Sequence, residues 1–580
     1  MGVAKVVIPL LSYGALSAWA VKSGASLSEI FLSTSYPIEI LIFVVFLERM
    51  LQFLRKRGFS LKGFVVKNRL AILLSACSVA IVFSSVPVGL KTLSDETNLI
   101  STSQSMLTHQ RVDLVTDGTY YYGNFNAIGK EIPKRPLLFP FLLSIVHSVR
   151  GYDYRNAFVL NAILFFLMLM ALAISAERLA GKTYAILLLL LVLAQPILSI
   201  SATSAGFDLL ATVSLLFSLI ATQVFLEDET PETAGLLSMS LVLLIHTRYE
   251  SALYAALFVA FLFIKKKVGK KFFRENYYPL VFLPVFLLPI VLQRILTRNN
   301  LENPPGVAPF SFEHFSANFL SFLQIQFHFD GDLPYAHLLI LLLPLSLGFI
   351  VISAYRKMKE TSHLIELGLL ALAIICLNYV VIFSYYFGYY GHPASTRFFL
   401  NLAVFSSISA ATALYLARNH LKPIAAVAFS AGIFIFYHPV AMESRNPNTV
   451  LLSRETDLCI HFLKSIDASQ AIIVSSRPGQ YTAMGYSSVG FDYLRDHLPS
   501  VTEELSKGLH TSLYVLQEKN YRDQKPVENS RLDPSIQVEE VEKHMITGEF
   551  YLSIGKVTGF SNAPVPAEAP RIPASIKKSP

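Results

Sequence analysis

Charge is scarce in this chain. Asp, Glu, Lys and Arg make up 15% of the 580 residues while 53% are hydrophobic, and a soluble domain of that length needs a more polar surface. Cysteine is scarcer still: Cys77 and Cys376 lie in apolar runs and Cys459 stands alone in a polar region. Without a CxxC or any paired spacing, neither a structural zinc site nor a disulfide framework is implied. There is no Walker A, no strand-linked GxGxxG and no HExxH, which excludes the usual phosphate cradle of an ABC-type pump or a cytoplasmic nucleotide-sugar enzyme. The net charge of +8 is no sign of nucleic acid, because no basic face with interleaved aromatics accompanies it. No internal repeat is visible, although many secondary transporters are built from repeated halves.

What the chain does have is apolar runs. Many reach the roughly 20 residues that cross a bilayer as a helix, and in lipid every backbone polar group needs an internal partner, so these runs must be helical. About thirteen spans are expected, near 3–22, 36–54, 68–90, 155–176, 182–200, 207–226, 234–248, 249–266, 277–296, 335–354, 363–384, 398–416 and 422–440. The run at 36–54 carries Glu39 and Glu48 and is the least regular. The first run has a second reading: Lys5, an apolar stretch and Ala18-Trp19-Ala20 resemble a signal peptide with its cleavage site.

Loop charge sets the orientation. Arg55, Lys56, Arg57, Lys62, Lys67 and Arg69 crowd one loop, and Lys265, Lys266, Lys267, Lys270, Lys271 and Arg274 another. Arg356, Lys357 and Lys359, then Arg418 and Lys422, follow later runs. All four places fall on one side of the count, which is expected to be cytoplasmic. The opposite side receives residues 91–154, 297–334, 385–397 and 441–580. These segments hold no Asn-x-Ser/Thr acceptor and no paired cysteines, which leans towards a multi-pass protein of a bacterial inner (plasma) membrane.

Residues 441–560 read as a small α/β extracytoplasmic domain. A helix-like stretch at 453–466 precedes a buried strand at 471–476, and 511–516, 538–541 and 550–554 read as further strands. Residues 561–580, rich in Pro and Ala, read as a disordered tail.

The residues that carry chemistry start just after the third run. Asp95 and Glu96 are adjacent carboxylates at the membrane surface; they read either as solvated interfacial charges or as a catalytic pair. A helix-compatible stretch follows to about Gln110, then Tyr120-Tyr121-Tyr122, then Lys134-Arg135-Pro136-Leu137, which opens a short apolar helix suited to the interface. This layout resembles the GT-C superfamily of multi-spanning glycosyltransferases, in particular its protein O-mannosyltransferase and lipid A aminoarabinose-transferase branch. Asp95-Glu96 matches the family's acidic pair, and Lys134-Arg135-Pro136-Leu137 its basic-proline segment. Thr247-Arg248-Tyr249-Glu250 and Ser395-Thr396-Arg397-Phe398-Phe399-Leu400 resemble two later Arg-containing segments. The resemblance covers about residues 68–440, leaving 1–67 as two extra N-terminal helices and a basic loop. Leu137 stands where the family has a second proline, and Asn98-Leu99 where an aromatic or His is common.

The resemblance implies a polyprenyl-phosphate-linked sugar donor, with a glycan, lipid or protein as acceptor. Asp95 is then expected to take the acceptor's proton, with Glu96 orienting it, raising its pKa or facing water. Arg135, Arg248, Arg397 and Lys134 are candidates for the donor phosphate, because a guanidinium fork can bind phosphate oxygens in pairs. Each Arg can equally snorkel to the interface. Asp208 can bind acceptor, orient an Arg or cap its helix; Tyr122, Tyr389 and Glu250 are further substrate-binding candidates. Tyr385, Tyr386, Tyr389, Tyr390 and His392 also fit an interfacial aromatic belt. Asp330-Gly331-Asp332 beside His328 is read as a turn, so no metal or cofactor is expected to be required, although a divalent cation stays open. Two readings from other classes remain: a transporter or flippase of lipid-linked sugars, and a non-catalytic scaffold.

Overall fold

The computed structural model describes residues 26–121, 123–265, 277–298, 306–327, 362–389, 395, 397–416, 423–443, 450–466, 470–527, 530–546 and 549–561. Two units emerge. The first comprises Met1–Val115 and Lys130–Ser453, the second Thr116–Gly129 and Arg454–Pro580.

The first unit is helical. Helix α1 (Leu27–Lys56) starts at Ser26, whose hydroxyl accepts from the Glu29 N–H and so satisfies one of the free donors of the first turn. It runs unbroken through the irregular acidic run at 36–54. Glu39 is fully buried, while Glu48 accepts from Gln52 one turn on at 2.7 Å. Helices α2 (Leu61–Lys67) and α3 (Arg69–Ser85) meet at 75°. At their junction the Asn68 side chain donates to the Phe64 carbonyl, competing with the helix ladder. Helices α4 (Leu93–His109), α5 (Leu138–Arg150) and α6 (Asn156–Ala180) follow. The expected span at 182–200 is broken into α7 (Lys182–Leu193) and α8 (Pro196–Ala202), bent by 78°. Pro196 explains the break, since it has no N–H and biases Gln195 away from the helical region; Gln195 is extended, at ψ 106°.

Beyond this lie α9 (Asp208–Glu227), α10 (Pro231–Ile245), α11 (Ser251–Ile264), α12 (Tyr277–Leu296), α13 (Phe312–Phe327), α14 (Ser362–Ser384), a 3-10 turn (Arg397–Phe399), α15 (Leu400–Leu416) and α16 (Pro423–Glu443). Among the described residues, four helical stretches are long and apolar enough to cross a membrane, or up to six if each bent pair is one span; the remaining apolar helices are shorter. The expected runs at 3–22 and 335–354 lie outside the described residues.

Ion pairs gather at one end of this unit: Lys56–Glu232 at 2.6 Å, Arg57–Asp228 at 3.0 Å and Arg178–Glu227 at 2.7 Å. Asp208 begins the 20-residue helix that Glu227 ends, so these two acids are separated by about 30 Å of helix. The functional candidates gather at the Asp208 end.

The second unit is built on one seven-stranded sheet, ordered β2-β1-β4-β3-β5-β7-β6. Its strands are β1 (Leu114–Tyr121), β2 (Asn124–Glu131), β3 (Ala471–Val474), β4 (Ser487–Val489), β5 (Ser512–Asn520), β6 (Ile536–Met545) and β7 (Phe550–Phe560). Strand β3 is parallel to both β4 and β5, and the other registered pairs are antiparallel. Ala471 and Ile473 enter one apolar cluster, Ile472 and Val474 another. That alternation is what a strand covered on both faces requires. The four strands expected at the C-terminal end are present. The sheet also takes in β4 and the hairpin of residues 116–129, which alternation alone left inside the long loop at 91–154. Gly118 lets the hairpin pack: a Cβ there would lie 2.8 Å from Phe125 and 2.9 Å from Thr482. The Pro/Ala-rich tail lies outside the described residues.

Candidate functional site

Five separate segments of the first unit bring ionisable groups to one place. The first is the start of α4. Asp95 and Glu96 occupy its first turn, where the helix dipole favours negative charge, yet each is only 2% exposed. Solvated interfacial charges they are not. Glu96 is held by backbone: Oε2 accepts from the Lys91 N–H at 2.9 Å and Oε1 from the Thr92 N–H at 3.1 Å. Burial pushes its carboxyl up to about 7, against those bonds, one from the Ala205 N–H and the charge of Arg397. Its two oxygens are thus engaged in folding the approach to α4, which corrects the expectation that it faces water.

Asp95 is held by cations. Arg135 donates to Oδ1 from Nε at 2.7 Å and also from Nη2, and Arg397 donates to Oδ2 from Nη2. Burial pushes the Asp95 carboxyl up, but the charges of Arg397 and Arg135 and their hydrogen bonds outweigh it, leaving it well below the usual carboxylate range. Among the described residues the buried Nε–H of Arg397 has no hydrogen-bond acceptor, a donor left over beside the Asp95 carboxylate.

A second pair adjoins the first. Asp208 forms an ion pair with Arg248 through Oδ1, and its Oδ2 is 3.8 Å from Arg397 Nη1. Arg248 Nε lies 2.5 Å from Glu250 Oε1. Asp208 opens α9 as its first helical residue, with its carboxylate turned to the arginines, and the capping position belongs to Phe207. Arg248 sits between the rings of Phe207 and Phe398, 5.0 Å from each, and Arg397 is 5.3 Å from Phe398. These cation–π contacts fix two guanidinium groups facing the carboxylates. Each of Arg135, Arg248 and Arg397, readable from sequence as a snorkelling side chain, is paired with a carboxylate of the network.

The segment before α5 is clamped by backbone bonds. Tyr249 donates its hydroxyl to the Lys134 carbonyl at 2.5 Å, and Gln293 Nε2 donates to the carbonyls of Pro133 at 2.9 Å and Arg135 at 2.8 Å. Asn161 does the same for the loop before α9, donating to Ser204 at 2.7 Å and Gly206 at 3.0 Å. Gln293 and Asn161 were not singled out by sequence. The available signal was a lone amide inside an apolar run, where a polar group is costly unless it has a task. Lys91 is also buried; burial pulls its ammonium down, with the Glu96 charge opposing.

The other candidates fare differently. Lys134 joins the site through its main chain. Glu250 is part of the network, through Arg248. Tyr389 is 47% exposed and is not drawn into the ion pairs above. Tyr122, His328, Asp330, Asp332, Tyr390, His392 and Thr396 lie outside the described residues. Among the described residues no group of three or more His, Cys, Asp or Glu could hold a metal ion.

No family model matches the chain, and no curated protein matches it. Among solved structures it is similar to ArnT from Cupriavidus metallidurans in the apo state, at TM-score 0.47 and 11% identity over 85% of this chain and 98% of that chain. It is similar in the same way to the same protein bound to undecaprenyl phosphate, at TM-score 0.47 and 12% identity over 85% and 98% of the two chains. At this identity and TM-score the likeness carries no inference about the chemistry of this chain.

Proposed function

We propose that the chain is an integral membrane glycosyltransferase. It transfers a sugar, with inversion, from a polyprenyl-phosphate donor to a glycan, lipid or protein on the extracytoplasmic face of a bacterial inner membrane. The observation that carries this reading is the buried Asp95 carboxylate gripped by Arg135 and Arg397, with Asp208–Arg248 beside it. Sidedness supports it too: every segment that meets at Asp95 falls on the outer side of the expected topology, while Lys56, Arg57 and Arg178 meet their partners on the inner side. The C-terminal unit is placed outside by the same count.

At rest Asp95 is a poor base, because two arginines hold it ionised. Donor phosphate competes for the same forks. As Arg135 and Arg397 turn to the phosphate, Asp95 loses its counter-ions and gains proton affinity. The acceptor oxygen then bonds to the anomeric carbon, its proton passes to Asp95, and the bond from that carbon to the phosphate oxygen breaks with its electron pair going to phosphate. The phosphate gains one negative charge while Asp95 loses one, so the net charge of the site is constant. The arginines stabilise the charge where it develops, which is the electrostatic role fixed dipoles and cations serve best. Asp208 and Glu250 hold Arg248 beside this exchange.

The test compares envelope glycans and lipid-linked sugars in cells lacking the protein, complemented with wild type or Asp95→Asn at matched membrane levels. A missing glycan that Asp95→Asn fails to restore, with donor lipid accumulating, supports the reading. Full restoration by Asp95→Asn removes Asp95 as the base.

A further inference from the structure

A buried ion pair sits behind the site and is absent from the chemistry above. Glu39 of α1 and His246, both fully buried, lie with Oε1 and Nδ1 2.6 Å apart. The other ring nitrogen, Nε2, is 2.8 Å from the Phe286 carbonyl of α12. A carbonyl only accepts, so Nε2 must carry a proton. Nδ1 then either carries a second proton towards a carboxylate or accepts one from a carboxylic acid. In both cases the pair is neutral and shares one proton. Around it stand Ile38, Ile42, Met239, Val242, Val285 and Phe286, an apolar shell in which an unpaired charge is expensive.

His246 is two residues from Arg248, in the turn between α10 and α11. Its ring is fixed to α1 and α12, and its carbonyl accepts from the Leu138 N–H at 3.4 Å, the residue that opens α5. Phe286 and Gln293 are seven apart on α12, hence on one helical face. That face therefore holds the His246 ring with one residue and the Pro133 and Arg135 carbonyls with the other. Two arginine-bearing segments are thus referenced to a single anchor.

We propose that Glu39 and His246 are positioning residues that set Arg248, and through the shared α12 face Arg135, at the spacing a donor phosphate requires. The inference rests on the reading of those arginines as phosphate ligands. Neither residue touches substrate; both act through the turn. Their partnership, rather than a charge on Glu39, is what matters, so an amide at position 39 serves as well: its N–H donates to Nδ1 of a neutral imidazole.

The experiment measures binding of a C55 polyprenyl phosphate to the full chain in nanodiscs. Glu39→Leu/His246→Leu removes both partners and leaves an apolar, charge-free interior, which tends to spare stability. Glu39→Gln keeps the hydrogen bond, and Arg248→Ala is the site control. The double variant is expected to stay folded and to bind roughly tenfold or more weakly, as misplaced site groups do, with Glu39→Gln close to wild type. Combined with Arg248→Ala, the double variant should lose less than the sum of the two separate losses, because part of its effect runs through Arg248. Wild-type affinity in the double variant, or equal losses in Glu39→Gln and the double variant, overturns the positioning role and leaves the proposed function standing. If wild type itself does not bind the lipid phosphate, the function reading falls and this inference with it.

Discussion

At the scale of single residues, the arrangement separates two carboxylates that are neighbours in sequence. Asp95 faces guanidinium groups that keep it ionised, whereas burial pushes Glu96 towards neutrality against the peptide N–H groups it accepts from. The pH dependence follows from the signs. Glu96 has a folded value near 7 against its ordinary 4.5, so its contribution to stability is full below pH 4.5 and is lost as pH rises through about 7. Glu96→Gln cannot titrate, and thermal unfolding should therefore shift in the variant's favour relative to wild type across that window. Glu96→Ala instead strands the N–H groups of Lys91 and Thr92, and should cost about 1–3 kcal/mol for each buried donor left unpaired, read as a lower unfolding temperature at pH 5. Asp95, with its value depressed, contributes stability above its ordinary 3.8 that is lost only as pH falls through the folded value, so no acid limb of a free-enzyme activity profile near pH 5 belongs to it. Arg397→Ala should reduce sugar transfer at saturating donor as well as donor affinity, because the guanidinium acts on the charge that develops during bond breaking.

At the scale of elements, most of the site was legible because the chemistry sits at helix ends. Apolar runs mark the helices, and the charged residues just beyond them, Asp95, Arg135, Asp208, Arg248 and Arg397, are visible for that reason alone. What the sequence did not disclose is who pairs with whom. Burial decides it: an acid 40 residues from its base, such as Asp95 from Arg135, has no local signature. Glu39 was legible only as an oddity in an apolar run, since its partner is 207 positions away. The supporting amides, likewise, show in the sequence only as lone polar groups in apolar runs. Gln293→Leu releases two carbonyls beside Arg135 and fills the space with an apolar group; donor affinity should fall while the helix content measured by circular dichroism is kept. An unchanged affinity would show that the clamp on this segment is dispensable.

At the scale of the whole molecule, two units share the chain unequally. The loop residues 116–129 belong to the sheet of the C-terminal unit, a pairing hidden from periodicity because the partner strand β4 is only three residues long. A chain ending at Ser453 should therefore lose the partner of Gly118, opposite Ser488, and become cleavable by protease within 116–129, where the full chain resists. The proposed topology predicts that Lys507→Cys, at a side chain 60% exposed, is labelled in intact cells by an impermeant thiol reagent, whereas Lys56→Cys, 46% exposed, is labelled only after the membrane is opened. Labelling of both from outside would contradict the sidedness on which the site rests. The central claim is that donor phosphate and Asp95 compete for Arg135 and Arg397, and the affinity of Asp95→Asn for a C55 polyprenyl phosphate tests it most directly. Removing the competing charge leaves two arginines short of a counter-ion, so the variant, inactive in transfer, should bind the lipid phosphate more tightly than wild type and be stabilised by it to a greater degree. Weaker or equal binding by Asp95→Asn would contradict the exchange and, with it, the account of how Asp95 becomes a base.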